Sequence, residues 1–154
     1  MPEFVGNYLN TVDTKNRVAV PAPFREILDS AGEGSDVYLT YGLDGCLELY
    51  PPEEWERRKA QLLSLPGGDY GSRDVRMLRR RLFGTCVKRP LDKQGRILLP
   101  DTLKSKVGID REVVFAGNGN VIELWSREAW DRMEDAFTDD RFLARVDDIF
   151  LGQS

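Results

Sequence analysis

The chain repeats itself. Residues 13–21 read Asp-Thr-Lys-Asn-Arg-Val-Ala-Val-Pro and residues 92–100 read Asp-Lys-Gln-Gly-Arg-Ile-Leu-Leu-Pro, so Asp, Arg and Pro recur at a shift of 79. Glu48-Leu49-Tyr50 with Trp55 recurs as Glu123-Leu124-Trp125 with Trp130 at a shift of 75. The difference falls between the two matches and is a change of loop length. A chain of 154 residues is thus divided into two halves, each too small for a generous core of its own. Two copies are too few for a solenoid, so the halves are expected to fold against each other as an intramolecular pseudo-dimer.

Each half has the same local grammar. A strand is expected over 6–12 and 85–91, then a tight turn at Asp13–Asn16 and Asp92–Gly95, then a short apolar return strand over 17–20 and 96–99. Asn16 and Gly95 stand at equivalent places before the arginine, and both residue types tolerate the left-handed conformation. That fits a type I turn closed by a bulge, with Asp at the first position accepting backbone N–H bonds. Pro21 and Pro100 end the return strands and suit helix starts. Short helices follow around 24–28 and 103–107, with Gly32 and Gly108 placed to stop them. A second hairpin comes next in each half, turning at Gly42–Gly45 and Gly117–Asn120.

A helix closes each half. The first holds Glu53, Trp55, Lys59, Leu62 and Leu63 and ends near Pro66-Gly67-Gly68; the second starts after Ser126, a suitable N-cap, and carries Trp130, Met133 and Phe137 at helical spacing. Residues 72–83 read as a basic helix with Val75, Leu78, Leu82 and Phe83 on one face. A last helix is expected over 140–151, with Phe142, Val146, Ile149 and Phe150 as its apolar side. The tryptophans and Tyr50 read as core or subunit packing rather than base-stacking platforms, because they recur at matched positions inside both halves.

Composition narrows the chemistry. The chain has no histidine, which removes the Ser-His-Asp triad, the Cys-His dyad and imidazole metal ligands. No glycine-rich phosphate loop follows a strand, and Gly117-Asn118-Gly119-Asn120 is a hairpin turn rather than a nucleotide fingerprint. An enzyme is therefore not expected, and neither a metal nor a cofactor is implied. Cys46 and Cys86 form no C-x-x-C and fit a reducing cytoplasm better than a disulfide scaffold. No apolar run approaches a membrane span, and residues 1–10 lack the apolar core of a secretion signal.

The formal net charge of −4 argues at first against nucleic acid. By region the picture changes. Residues 70–100 hold Arg73, Arg76, Arg79, Arg80, Arg81, Lys88, Arg89, Lys93 and Arg96 against Asp74 and Asp92, a net of +7, between acidic stretches over 26–69 and 101–154. Arginine outnumbers lysine 16 to 6, and its planar fork suits phosphate, guanine or carboxylate. The block reads equally as a solvated helix face, a subunit contact or a DNA contact.

The duplicated Asp-x-x-x-Arg-apolar-x-apolar-Pro pattern closely resembles the MraZ family of bacterial transcription regulators, built from tandem SpoVT-AbrB swapped-hairpin units. Phe4-Val5-Gly6, both turns, Leu49-Tyr50-Pro51 with Trp55, the Arg-rich middle and Glu123-Leu124-Trp125 with Trp130 carry the likeness over nearly the whole chain. It implies a β-rich α+β fold in which two pseudo-symmetric AbrB-like units form a double-ψ, barrel-like core with peripheral helices. The repeats would span 7–54 and 83–126, with a helical connection over 55–82 and a C-terminal helical segment over 127–154. It further implies a cytoplasmic, nucleoid-associated protein that forms an octamer-like ring of identical subunits. Such a ring binds short direct repeats in the promoter of the division and cell-wall gene cluster, usually as an autoregulating repressor.

Carried over by position, the resemblance makes Arg17 and Arg96 the principal DNA contacts, with Lys15, Lys93, Asn16 and Gln94 beside them and Asp13 and Asp92 organising the turns. From the duplication alone, both aspartates are better read as bracing their hairpins, while the arginines divide between bracing and DNA contact. An arginine leaving a tight turn can reach phosphate oxygens or guanine O6 and N7. The rival reading is an antitoxin-like or assembly protein that shares the fold without this promoter target.

Overall fold

The computed structural model describes residues 3–30, 36–67 and 70–152. The first half runs β1 (Asn7–Thr11), β2 (Arg17–Ala19), α1 (Ala22–Asp29), β3 (Asp36–Tyr41), β4 (Leu47–Tyr50) and α2 (Pro52–Leu63). After α3 (Arg73–Leu82), the second half repeats the order as β5 (Val87–Pro90), β6 (Arg96–Leu98), α4 (Asp101–Val107), β7 (Glu112–Gly117), β8 (Ile122–Ser126) and α5 (Arg127–Phe137). Two short helices follow, α6 (Asp140–Leu143) and α7 (Val146–Leu151). Gly32 and Gly68, read above as helix stops, lie outside the described residues.

The fold is α+β, and its halves are interleaved. Six strands form an antiparallel sheet in the order β1-β7-β8-β4-β3-β5, while β2 and β6 pair separately. β1 of the first half is thus laid on β7 of the second, and β5 of the second on β3 of the first. β4 and β8 meet at the centre, with Glu48 opposite Glu123. Each Asp-x-x-x-Arg turn forms, but the strands on either side of it take their ladder partners from the opposite half. This is the swapped-hairpin arrangement, and it solves the size problem by giving both halves one core.

That core lies on one face of the sheet. Leu47, Leu49, Ile122 and Leu124 from the central strands pack with Val18 of β2, Ile97 of β6, Phe24 and Leu28 of α1, and Leu103 and Val107 of α4. Phe24 and Leu28 are four apart on a short helix that begins after Pro21, so one turn delivers both to the core; full burial of such a side chain is worth roughly 1.5–3 kcal/mol. α4 ends at Gly108, whose φ of 73° is the left-handed cap that glycine adopts freely.

The other face is covered by the closing helices. Trp55 of α2 packs against Tyr50, Tyr38 and Phe83, and Trp130 of α5 against Trp125 and Phe137. The aromatics at the matched positions therefore pack onto the sheet, as expected. Ser126 caps α5 by accepting the Ala129 N–H at 3.1 Å, and Ser72 caps α3 in the same way from Val75 at 3.2 Å. Cys46 is buried and Cys86 partly so; both are free thiols, and burial pushes Cys86 up to about 11 and Cys46 further in the same direction.

The expected helix over 140–151 is two helices. Asp139 caps the first by accepting from Arg141 N–H at 2.8 Å, and a tight turn from Arg145 N–H to Phe142 O at 2.9 Å ends it. The apolar spacing continues across this break, which is why periodicity alone joins the pieces. Phe137, Leu143, Ile149, Phe150 and Leu151 stay exposed along this segment. No helix among the described residues is long and apolar enough to cross a membrane.

Candidate nucleic-acid interface

The two Asp-x-x-x-Arg turns have the same construction. Asp13 N–H donates to Arg17 O at 2.8 Å and Asn16 N–H to Asp13 O at 3.1 Å; in the second turn Asp92 N–H donates to Arg96 O and Gly95 N–H to Asp92 O, both at 2.9 Å. Asn16 has φ 61° and Gly95 φ 74°, so the left-handed position falls where the sequence places it.

Each aspartate organises its turn through both oxygens. Asp13 Oδ1 accepts the N–H groups of Lys15 and Arg17, and Oδ2 accepts Arg17 Nε at 2.9 Å. Asp92 repeats this with Gln94 and Arg96, taking Arg96 Nε at 2.8 Å. The Arg17 backbone N–H, aided by that of Lys15 and by the Arg17 guanidinium, holds the Asp13 carboxyl below its ordinary range against the opposing effect of desolvation. The Arg96 backbone N–H, with its guanidinium and the Gln94 N–H, does the same to Asp92. In both turns the arginine four positions on brings its N–H and its Nε back to the same carboxylate.

β2 and β6 pair antiparallel with Arg17 opposite Leu98 and Arg96 opposite Ala19, so the two turns stand at opposite ends of a short ladder with the arginines between them. Arg17 and Arg96 are therefore diagonal neighbours on paired strands, roughly 7–8 Å apart. Arg96 also reaches across, its Nη1 lying 3.9 Å from Asp13 Oδ2. Both arginines are about one-third exposed, while Lys15, Lys93 and Gln94 are exposed at the turn tips. Nε uses one of the five guanidinium donors, so each Asp fixes its arginine's direction without consuming the fork.

The repeat contains a further pair that inspection of the turns alone does not show. Arg25 of α1 donates from Nη1 to Gln94 O at 3.0 Å, and Lys104 of α4 donates to Asn16 Oδ1 at 2.9 Å. Both are the fourth residue after the repeated proline of their half, and each braces the turn of the other half. The Asn16 amide also donates to Asp101 at 2.9 Å, so its side chain is held by α4. At Gly95 the corresponding space is filled by Arg25, which a Cβ there would strike. The signal for Arg25 and Lys104 was present in the sequence as a matched basic residue at the shift of 79.

The basic helix α3 resolves into two sets. Arg81 lies 3.8 Å over the Tyr41 ring and donates from both Nε and Nη2 to Gly42 O, and Arg79 reaches Leu62 O at 3.5 Å, so these two brace the chain. Arg73, Arg76 and Arg80 are exposed. The buried hydroxyl of Thr40 donates to the Leu82 carbonyl at the end of the same helix, 2.6 Å away.

A family model described as "MraZ protein, putative antitoxin-like" matches residues 4–75 and 82–151. A protein of Lachnoclostridium phytofermentans called "Transcriptional regulator MraZ" is 41% identical over 83% of this chain and 84% of its own length. Proteins of the same description from Thioalkalivibrio sulfidiphilus and Clostridium tetani are 44% and 40% identical, over 80% and 88% of this chain and 80% and 90% of their own lengths. Among solved structures, the solution structure of PHS018 from Pyrococcus horikoshii covers 80% of this chain and 89% of its own, with 16% identity and a TM-score of 0.33. Two matched regions that together span both repeats, and relatives of about this identity along most of the chain, place this protein in the MraZ family.

Proposed function

We propose that this chain is a cytoplasmic, nucleoid-associated regulator of transcription, not an enzyme, that binds double-stranded DNA through the paired turns. The observation that carries the reading is the placement of Arg17 and Arg96 side by side, each aimed by its own aspartate. The relatives' description as transcriptional regulators supports it. Arg17 and Arg96 contact base edges or phosphates, Lys15 and Lys93 contact phosphates, and Gln94 and Asn16 border the contact. Asp13 and Asp92 serve the turns, since a carboxylate facing phosphate is unfavourable.

The finer reading is repression of the division and cell-wall gene cluster, including the protein's own gene, from short promoter direct repeats bound by an octamer-like ring. One pair of turns with a few cations binds weakly, and many copies on one ring raise the effective concentration over repeated sites. The exposed apolar side chains of the C-terminal segment support self-association. The repeat limits 7–54 and 83–126 belong to the same reading. The words "antitoxin-like" in the family description favour one alternative, a swapped-hairpin protein without this promoter target. A footprint on the DNA upstream of the protein's own gene, with a salt titration, separates them. Protection of evenly spaced direct repeats and a steep salt dependence are expected; no protection there favours the alternative.

A further inference from the structure

The two halves carry equivalent clefts between their closing helices and the opposite half's hairpin turn, and the first is the more polar of the two. One, of 290 Å³, is lined by Glu48, Glu54, Arg57, Arg58 and Gln61 with Asn120 of the facing turn. The other lies under α5 against the Asp44-Gly45 turn. At the shift of 75, Glu54 corresponds to Ala129, Arg58 to Met133, Gln61 to Ala136 and Asn120 to Gly45. Glu48 and Arg57 keep their residue type as Glu123 and Arg132, and Arg132, Lys106 and Asp44 also line the second cleft, but the other four positions there are small or apolar. Glu54, Arg58, Gln61 and Asn120 are therefore not required by the architecture.

That polar set is also costly to keep. Glu48 and Glu54 are 8% and 4% exposed, and buried charges destabilise unless well paired. Glu54 is held by Asn120 at 3.0 Å and Arg57 at 3.1 Å, and Glu48 by Tyr50 at 2.8 Å. Burial still pushes the Glu48 carboxyl above its ordinary range. Arg58 donates weakly to Gln61 at 3.5 Å and lies against Tyr50 and Glu48, while its Nε is buried with no hydrogen-bond partner. An orphaned buried donor in a cavity of this kind calls for an acceptor.

We infer that the cleft of Glu48, Glu54, Arg57 and Arg58 is a binding site for a small zwitterion carrying an ammonium and a carboxylate, of the amino-acid class. The two carboxylates and two guanidiniums balance. A simple anion entering would face two buried carboxylates, and a simple cation two guanidiniums. A molecule with both ends satisfies both, with its ammonium on Glu48 and Glu54 and its carboxylate on Arg58. The volume lies at the lower end of the roughly 300–1,000 Å³ typical of ligand sites, which limits the occupant to a small molecule.

The test uses the full chain without DNA, so its result is independent of the DNA reading. Thermal melting and equilibrium dialysis are run with each of the twenty standard L-amino acids. At least one is expected to raise the melting temperature and to bind. Replacing three residues by their own counterparts in the other half, Glu54→Ala with Arg58→Met and Gln61→Ala, is expected to leave a folded protein whose affinity falls about tenfold or more. Arg58→Met alone serves if the triple variant does not fold. No binding by the wild-type chain, or undiminished binding by the variant, overturns the proposal.

Discussion

Arg25 and Lys104 stand at equivalent positions of the two halves, and each bonds the Asp-x-x-x-Arg turn of the other half, Arg25 at Gln94 O and Lys104 at Asn16 Oδ1. The exchange that interleaves the strands thus reaches the candidate interface: neither turn is supported by its own half alone. A change at either brace is felt across the pseudo-two-fold axis.

Gly95 should be hard to replace. Its φ of 74° is disfavoured for a side-chain residue, and a Cβ meets Arg25. Gly95→Ala is expected to lower stability by about 1 kcal/mol or more. Urea unfolding of this variant beside the wild-type chain measures the loss. A Gly95→Ala variant as stable as wild type would show that neither the backbone nor Arg25 constrains this position.

The turn aspartates predict an acid limb. Both carboxyls are held below the ordinary value of about 3.9, so the stability they contribute is present above that value and is lost as pH falls through the lower folded value. Asp13→Asn with Asp92→Asn should therefore flatten the fall of melting temperature below about pH 4. Glu48 has the opposite sign. Its raised value means that its charged form opposes folding at neutral pH and is relieved as pH falls, so Glu48→Gln should melt higher than wild type at pH 7.

Within α3, Arg81→Ala should cost about 1–3 kcal/mol, because it removes the stack on Tyr41 and the bonds to Gly42 O. Arg73→Ala and Arg80→Ala, both exposed, should stay within about 0.5 kcal/mol of wild type. Chemical denaturation of the three variants checks the division of the helix into bracing and exposed arginines.

Self-association is expected to depend on the C-terminal apolar side chains. Ile149 and Phe150 are 56% and 67% exposed. Ile149→Asp with Phe150→Asp should give a smaller species in light scattering while circular dichroism is unchanged. A species of undiminished mass would remove this surface from the assembly.

The turns were legible because their logic is local: Asp, a left-handed residue and Arg close one loop through bonds among five residues. The Glu-Leu-aromatic motif was visible as a recurrence, but its reason was not. Residues two apart on a strand share a face, so Tyr50 can donate to Glu48 and Trp125 to Glu123, at 2.8 and 3.1 Å. The interleaved strand order depends on pairing between distant segments with similar apolar patterns, which periodicity does not distinguish. The inward turn of Arg79 and Arg81 was hidden for a related reason: net charge counts arginines without showing which of them carbonyls and rings already hold.

The central claim is that Arg17 and Arg96 together contact DNA. Fluorescence anisotropy on the upstream DNA of the protein's own gene, titrated with salt, compares the wild-type chain with Arg17→Ala, Arg96→Ala and the double variant, each verified as folded and assembled. Loss of specific binding in the double variant is predicted, with the slope of log affinity against log salt reduced by about 1 for each phosphate contact removed. A folded double variant that binds as tightly as wild type, with the same slope, would contradict the account.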